Sequence, residues 1–129
     1  MAVTFKAPVK DITFGYEVID SYNILNKISE FSDFSEDIVI PTMEECAKFS
    51  EEVLAPINAI GDQQGATIDN GVVKMPQEFI DAYKKFAEAG WASISLPEEI
   101  GGGGQPITLS GGTLEILSTA NLAFGLAPG

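Results

Sequence analysis

The 129-residue chain contains no histidine and no arginine. Histidine is the usual general base of enzymes and the base of Ser–His and Cys–His nucleophile pairs, so its absence excludes those arrangements. Seven lysines stand against 19 acidic residues, and the formal net charge is −12. Nucleic acid and anionic membrane surfaces are therefore not expected as partners, because both are bound by clustered basic side chains.

Cysteine and long apolar runs are also scarce. Cys46 is the single cysteine, so no internal disulfide can form, which is typical of a reducing compartment and predicts a cytoplasmic location. The chain has no run of eighteen apolar residues and no basic segment followed by an apolar one at its N-terminus. We therefore expect neither a membrane span nor a secretory signal. The length suits one domain with a modest core.

Apolar spacing predicts a mainly α fold with one short β-hairpin. Residues 1–15 are predicted to form an extended N-terminal arm, because Pro8 restricts the residue before it. Residues 16–129 are predicted to form one helical domain, with helices at about 16–30, 36–60, 76–89 and 109–124. Between them, Asn70-Gly71 separates two short β-branched runs and predicts a hairpin with a type I′ turn.

Pro41 leaves two interpretations of the second helix. Either the helix begins at Ser35 and bends at Pro41, or it begins at Thr42. Thr42 and Glu45 form a capping box, which favours the second interpretation. At the other end of this helix, Gly61 is predicted as the glycine that follows the last helical residue.

The stretch "GWASISLPEEIGGGGQP" (90–106) raises the question of phosphate binding. Its four consecutive glycines are Gly101, Gly102, Gly103 and Gly104, and they lie between a strand-like run at 92–96 and the last helix. A phosphate-binding loop needs a lysine and a hydroxyl residue after its glycines, and the dinucleotide pattern needs a third glycine where Pro106 stands. Glu98 and Glu99 would repel phosphate. The glycines are therefore predicted to be a structural loop.

No catalytic, cofactor-binding or metal-ligating residue is assigned from these patterns. Cys46 lies on an apolar helix stripe and is interpreted as a core residue. Adjacent Glu98 and Glu99 are interpreted as surface residues rather than an acid–base pair. Asn121 is a polar residue on the apolar face of the last helix, which fits either a hydrogen-bonded buried amide or a functional group.

Several segments in order resemble the N-terminal domain of the acyl-CoA dehydrogenase family. They are "GWASISLPEEIGGGGQP", the later "EILSTANLAF" and the upstream "KFSEEVLAPINAIGDQQGATIDNGVVKMPQEFIDAYKKFAEAGW". The opening "FKAPVKDITF" is similar to the longer bacterial branch that includes methylthiopropionyl-CoA dehydrogenase. The apolar end "NLAFGLAPG" adds the expectation that the chain stops inside a larger fold, before a flavin-binding β domain.

The resemblance implies a part of an FAD-dependent oxidoreductase of fatty acid metabolism. Such a flavoprotein removes hydrogen from the α and β carbons of an acyl-CoA thioester and passes electrons to an electron-transfer flavoprotein. FAD and the catalytic glutamate are expected in the middle and C-terminal domains, so this chain alone is expected to be inactive, and the parent to be a homo-oligomer. By resemblance, the last helix lines a wall of the acyl pocket, and the candidate wall residues are Asn121, Phe124, Leu126 and Pro128.

Two other function classes stay open at this point. The chain could be a non-catalytic, acidic helical interaction module, which a reading frame that ends without a flavin-binding domain would favour. It could also be a small carboxylate-based enzyme, which requires two carboxylates that converge in a pocket. Spacing along the sequence does not show such convergence.

Overall fold

The computed structural model describes residues 4–126, and helices dominate it. In chain order the elements are α1 (Val9–Val18), α2 (Ser21–Leu25), a 3-10 turn (Ser29–Phe31), α3 (Glu36–Phe49), a π-helical turn (Ser50–Leu54), α4 (Ala55–Gln64), β1 (Thr67–Asp69), β2 (Val72–Lys74), α5 (Gln77–Glu88), two 3-10 turns (Trp91–Ser93 and Glu98–Ile100), α6 (Ile107–Ala120) and α7 (Leu122–Gly125). This architecture confirms the mainly α fold with one hairpin.

The core lies where α3 and α6 pack together, with α1 and the π turn against them. Its largest fully buried aliphatic side chains are Val39, Met43, Leu54, Leu109 and Ile116. Burial of apolar surface at about 25 cal/mol per Å² drives this packing. Gly112 allows the close approach of α6, because a Cβ there would lie 2.6 Å from both Met43 Cε and the Tyr16 hydroxyl.

The prediction of an extended arm over residues 1–15 was wrong for residues 9–15, which belong to α1. Residues 1–3 lie outside the described part. Proline is accepted at a helix start, and Pro8 is the N-cap of α1. Ile12 and Tyr16, four residues apart, are both buried, so packing on one face stabilises the helix.

The predicted helix over residues 16–30 is interrupted. Asp20 adopts a left-handed conformation with φ of 56°, which ends α1 and begins the short α2. The Asn23 side chain donates to the Asp20 carboxylate at 2.6 Å. Aspartate tolerates this backbone region better than most residues, since its short polar side chain bonds locally.

The second helix begins at Glu36, after the N-cap Ser35, and continues through Pro41. Of the two interpretations, the start at Ser35 is therefore correct and the capping box at Thr42 is wrong. The Thr42 hydroxyl instead donates to the Ile38 carbonyl at 2.7 Å, inside the helix. Burial of four residues along α3 outweighs the helix bond that proline removes.

A π-helical turn joins α3 to α4 directly before Pro56, where the Ala55 N–H donates to the Ser50 carbonyl five residues back. Gly61 does not end the helix as predicted. It lies inside α4, where the ring of Phe79 occupies the space that a Cβ would need. Gly65, with φ of 63°, takes the terminating position instead.

The hairpin and the helix after it confirm the prediction. Asn70 and Gly71 both have positive φ, 50° and 79°, as a type I′ turn requires. Ile68 pairs with Val73 in the antiparallel register. α5 then begins at Gln77, directly after Pro76.

Residues 92–96 are not a strand, because their carbonyls are hydrogen-bonded to the glycine loop rather than to another strand. The last helix is divided: α6 ends at Ala120, Asn121 is extended, and α7 follows. Among residues 4–126, no helix is both long and apolar enough to cross a membrane.

Candidate functional site

The break between α6 and α7 is organised by the side chain of Asn121. Its Oδ1 accepts the Phe124 N–H at 3.1 Å and so caps α7. Its Nδ2 donates to the Leu54 carbonyl, the last residue of the π turn, at 3.1 Å. Asn121 is only 1% exposed. One buried amide therefore fixes the start of α7 against the centre of the long α3–α4 helix.

An apolar groove lies between α5 and α7, which we call the α5–α7 groove. Its volume is about 350 Å³, and it is lined by Met75, Phe79, Ile80, Tyr83, Lys84, Ala123 and Phe124. Lys84 is the one charged residue in this lining. Phe124 packs edge-on against Phe86, with ring centroids 5.6 Å apart, and lies 6.4 Å from the ring of Phe79. Such a cleft suits an aliphatic group, because it offers apolar contact with few polar partners.

The predicted wall residues have different environments. Asn121 and Phe124 are buried, and of these Phe124 lines the α5–α7 groove. Leu126 is 74% exposed just beyond α7, and Pro128 lies outside the described residues. Sequence reasoning missed Met75 and Ile80 as groove residues. The strong amphipathicity of α5 indicates that one of its faces is buried. Which residues at the edge of that face line a groove depends on the position of α7, which the sequence of α5 does not contain.

The glycine loop does not offer a phosphate cradle. Its five consecutive N–H groups from Gly101 to Gln105 all donate to carbonyls of residues 93–98, at 2.9–3.0 Å. A phosphate cradle needs N–H groups that point at the ligand. The Glu98 side chain also lies against Gly104. The loop also offers no basic side chain to a diphosphate, because residues 97–106 contain no lysine.

A second groove of about 390 Å³ lies on the other side of α5, between the Trp91 turn and α6. Its apolar members include Phe86, Trp91, Leu96, Ile107 and Leu114. The hydroxyl groups of Ser95 and Ser110, 2.6 Å apart, add polar groups to this lining. This Trp91 groove is the natural comparison site for the α5–α7 groove, which has no hydroxyl pair of this kind.

A cavity of about 730 Å³, larger than either groove, lies between residues 6–11 and the helix formed by α3 and the π turn, and it is strongly charged. Three lysines and four carboxylates line it, so it does not suit an apolar ligand. The Lys6 ammonium contacts the Glu51 carboxylate at 2.6 Å, and the Ala7 N–H donates to the same group at 3.0 Å. These two bonds hold the pKa of Glu51 below its usual value. These contacts attach the N-terminal segment to the rest of the domain, and the cavity lies at this junction.

Two buried titratable groups belong to the core rather than to a site. Burial raises the pKa of the Cys46 thiol to about 12. Burial likewise raises the pKa of Tyr16 to about 12. The Tyr16 hydroxyl donates to the Thr108 carbonyl at 2.7 Å. Because the thiolate is the reactive form of cysteine, Cys46 is unsuited to nucleophilic chemistry.

These raised pKa values predict loss of stability at alkaline pH. The stabilisation is fully present below the ordinary pKa values, about 9 for Cys46 and about 10 for Tyr16. It is lost as the pH rises towards the raised pKa values of about 12. The free energy of unfolding, measured by denaturant titration, should therefore be flat near pH 8 and fall between about pH 9 and 12. Cys46→Ala and Tyr16→Phe should each reduce the slope of stability against pH, whereas Phe14→Ala, at an exposed residue that does not titrate, should not. An unchanged slope in both core variants would contradict the assignment.

Comparison with known proteins decides the family. Residues 41–129 match the family model described as acyl-CoA dehydrogenase, N-terminal domain. The chain belongs to the acyl-CoA dehydrogenase family. It is also 36% identical over 126 residues to 3-methylmercaptopropionyl-CoA dehydrogenase of Ruegeria pomeroyi, a match that covers 98% of this chain and 21% of that protein. The chain thus spans about a fifth of the length of this relative.

The match to this relative confirms the resemblance to the bacterial branch named after the methylthiopropionyl substrate. The two comparisons cover different parts of the chain. The family model begins at residue 41, inside α3, so α1, α2 and the start of α3 lie outside it. The match to the relative includes most of this N-terminal segment, because it covers 126 of the 129 residues.

Among residues 4–126, no group of three His, Cys, Asp or Glu side chains comes together as a metal site. Glu98 and Glu99 lie in an exposed 3-10 turn, in agreement with their interpretation as surface residues.

Proposed function

We propose that this chain supplies one wall of the acyl pocket in an FAD-dependent acyl-CoA dehydrogenase. The α5–α7 groove is the observation that carries the proposal, because it is apolar and is lined by Ala123 and Phe124, which belong to the segment that the family resemblance assigns to the pocket. Asn121 holds α7 in place, and the Phe124 ring forms part of the groove surface. Leu126 directly follows α7 and is exposed, so it is accessible to a ligand or to another part of a longer protein.

In this proposal the chemistry belongs to parts of a longer protein outside this chain. FAD bound there would supply the acceptor for the hydride from the β carbon of the acyl-CoA thioester, while a glutamate outside this chain would take the α proton, and the electrons would then pass to an electron-transfer flavoprotein. This chain contributes apolar contact with the acyl group and exclusion of water. Acyl-CoA is the proposed substrate, and cytoplasm the proposed location. The parent is proposed to be a homo-oligomer.

A chimera tests the proposal in a catalytic setting. The fifth of the Ruegeria relative that this chain matches is replaced with this chain, and dehydrogenation of short and long acyl-CoA substrates is measured. Ala123→Trp, which fills the α5–α7 groove, should lower kcat/KM for long acyl chains by about ten-fold or more, since a displaced aliphatic segment costs about 0.8 kcal/mol per CH₂. Short substrates should be affected less.

Ala92→Trp is the matched control, because Ala92 lines the Trp91 groove. It should leave the preference for acyl length unchanged. The opposite pattern, with Ala92→Trp alone selecting against long chains, would place the acyl wall at the Trp91 groove. The chain without the rest of the chimera should retain no flavin absorbance after mixing with FAD and desalting. Stoichiometric FAD on it would contradict the division of labour between the domains.

A further inference from the structure

Asn70 lies at the exposed tip of the β1–β2 hairpin and is followed by Gly71. An asparagine side chain loses its amide nitrogen when the backbone nitrogen of the next residue attacks the side-chain carbonyl carbon. Glycine hinders this attack least, because it has no β-carbon. Of the five asparagines in the chain, Asn70 is the one that precedes a glycine. The sequence therefore favours Asn70 over the other asparagines for this reaction.

The surroundings of Asn70 leave the reacting groups accessible. Asn70 and Gly71 are both exposed, and within residues 4–126 no hydrogen bond is donated by the Gly71 N–H. Asn121, in contrast, is buried and its amide is bonded at both ends. The Asn23 amide donates to the Asp20 carboxylate at 2.6 Å. The side chain of Asn70 is thus accessible to water and next to an unbonded nucleophile.

The closed turn itself resists the reaction. In a type I′ turn the first central residue has ψ of about 30°. This value places the Gly71 nitrogen nearly trans to the Asn70 Cβ about the Cα–C bond. From that position the nitrogen cannot reach the side-chain carbonyl carbon. The turn must therefore open and ψ of Asn70 must rotate before the attack.

Opening of the hairpin removes little packing. All six of its strand residues are exposed, and within residues 4–126 the sheet consists of these two strands only. A two-stranded hairpin is marginally stable in water. Elements with few buried contacts open locally at a small cost in free energy, without unfolding of the whole domain. The open state of the turn is therefore well populated while the helices stay folded.

We propose that Asn70 is a site of spontaneous deamidation, at a rate set by the opening of the β1–β2 hairpin. A bond forms between the Gly71 nitrogen and the Asn70 Cγ, the bond from Cγ to the side-chain nitrogen breaks, and ammonia leaves with the proton of the Gly71 nitrogen. Water then opens the succinimide ring at either carbonyl and gives aspartate or isoaspartate. Neither step is an oxidation or a reduction. This inference is independent of the proposed catalytic role.

The products should weaken the hairpin that releases them. Isoaspartate adds a methylene group to the backbone of a turn that depends on two consecutive residues with positive φ. Both products place a new carboxylate next to Asp69, whose ion pair with Lys74 at 2.6 Å links the two strands. Since the strand residues are exposed, the helical core should not change. Deamidation is thus an irreversible change that is confined to one element.

Peptide mapping by mass spectrometry, after incubation of the purified chain in mildly alkaline buffer, tests the site. Aspartate and isoaspartate should accumulate at position 70 at a rate within about ten-fold of that in a synthetic peptide of residues 66–75, because a marginal hairpin is often open. Asn58, exposed in α4 and followed by Ala59, is the internal control and should convert at least about ten-fold more slowly. An intact Asn70 when the peptide has reacted, or equal conversion at Asn58, would overturn the proposal.

Ile68→Gly tests whether opening sets the rate. The change removes the cross-strand contact with Val73 and favours the open state, so conversion at Asn70 should become about two- to five-fold faster. Ile19→Gly is the matched control, because Ile19 directly follows α1 and is 62% exposed, compared with 78% for Ile68. It should leave the rate at Asn70 unchanged. A rate that Ile68→Gly did not change would show that the closed turn reacts directly and would overturn the role of opening.

Nuclear magnetic resonance of the reacted protein tests the consequence. The form that contains isoaspartate has one more negative charge and can be separated by anion exchange. Ile68 and Val73 are a non-hydrogen-bonded pair, with Cα atoms about 4.5 Å apart, and their Hα atoms give a cross-peak in the folded hairpin. This cross-peak should be lost, whereas contacts between the rings of Phe86 and Phe124 should persist. A retained Ile68–Val73 cross-peak, or loss of both contacts, would contradict a change confined to the hairpin.

Discussion

Replacing Asn121 with alanine should lower the free energy of unfolding by about 2–4 kcal/mol. The change removes the cap of α7, a loss of about 0.5–2 kcal/mol, and it deprives the buried Leu54 carbonyl of a donor, at a cost of about 1–3 kcal/mol. For a domain of this length we expect the melting temperature to fall by about 8–15 °C. Thermal unfolding followed by circular dichroism measures the effect.

Two further variants separate the roles of the amide. Asn58→Ala changes the same residue type at an exposed position of α4 and should alter stability by less than about 0.5 kcal/mol. Asn121→Asp retains the oxygen that caps α7 but loses the donor to Leu54 and buries a carboxylate, so it should be as harmful as alanine. If Asn121→Ala and Asn58→Ala had the same free energy of unfolding, the two hydrogen bonds of the Asn121 amide would contribute nothing to stability.

The same variant bears on the proposed wall of the acyl pocket. Asn121 fixes the first residue of α7, and Ala123 and Phe124 of α7 line the α5–α7 groove. Loss of the cap should therefore loosen one side of the groove as well as lower stability. In the chimera, Asn121→Ala should raise KM for long acyl chains at temperatures where the protein is still folded.

The helical composition and the hairpin could be predicted because their signals are local. α5 needed only apolar residues at helical spacing after Pro76, and the hairpin needed only Asn70-Gly71 between β-branched residues. Both signals act within a few residues of the chain. The family resemblance depended on local motifs too, and the comparison with known proteins confirmed it.

The wrong predictions share a different origin, which is contact between distant parts of the chain. Residues 92–96 alternate like a strand, yet their carbonyls accept N–H groups from the glycine loop about ten residues later. Gly61 appeared to end a helix, but it is needed where α4 meets the ring of Phe79 on α5. The start of α1 depends on packing against α3. Residue propensity within one window does not contain these contacts.

The candidate site shows the same limit. The polar character of Asn121 on an apolar face was visible in the sequence, and a buried, hydrogen-bonded amide was one of its two interpretations. Its partner, the carbonyl of Leu54, lies 67 residues away, and nothing near either residue identifies the pair. The groove likewise joins residues of α5 and α7 that are separated by about forty positions. Tertiary packing alone brings them together.

Gly102→Ala should destabilise the protein by about 3 kcal/mol, at the upper end of the range for overpacking. A Cβ on Gly102 would overlap the backbone carbonyl of Leu96, and a backbone group cannot move aside as a flexible side chain can. Moving either of these two backbone segments would break the hydrogen bonds that Gly103 and Gly104 donate to the carbonyls of Ser93 and Leu96. Denaturant titration of the variant measures the loss.

Gly111→Ala is the matched control and should have the opposite sign. Gly111 lies exposed in α6 with nothing within 4 Å of the position of its missing Cβ, so alanine there should stabilise the helix by about 0.5–1 kcal/mol. Gly101→Ala should fall between the two, because Gly101 has open space but a φ of 84° that costs alanine about 1–2 kcal/mol. The loss of stability should therefore decrease in the order Gly102→Ala, Gly101→Ala, Gly111→Ala. This order would show that close backbone contact requires a glycine more strongly than the positive φ of the turn does. If Gly102→Ala destabilised the protein no more than Gly101→Ala, the close contact with Leu96 would not explain why glycine is needed, and only the turn conformation would.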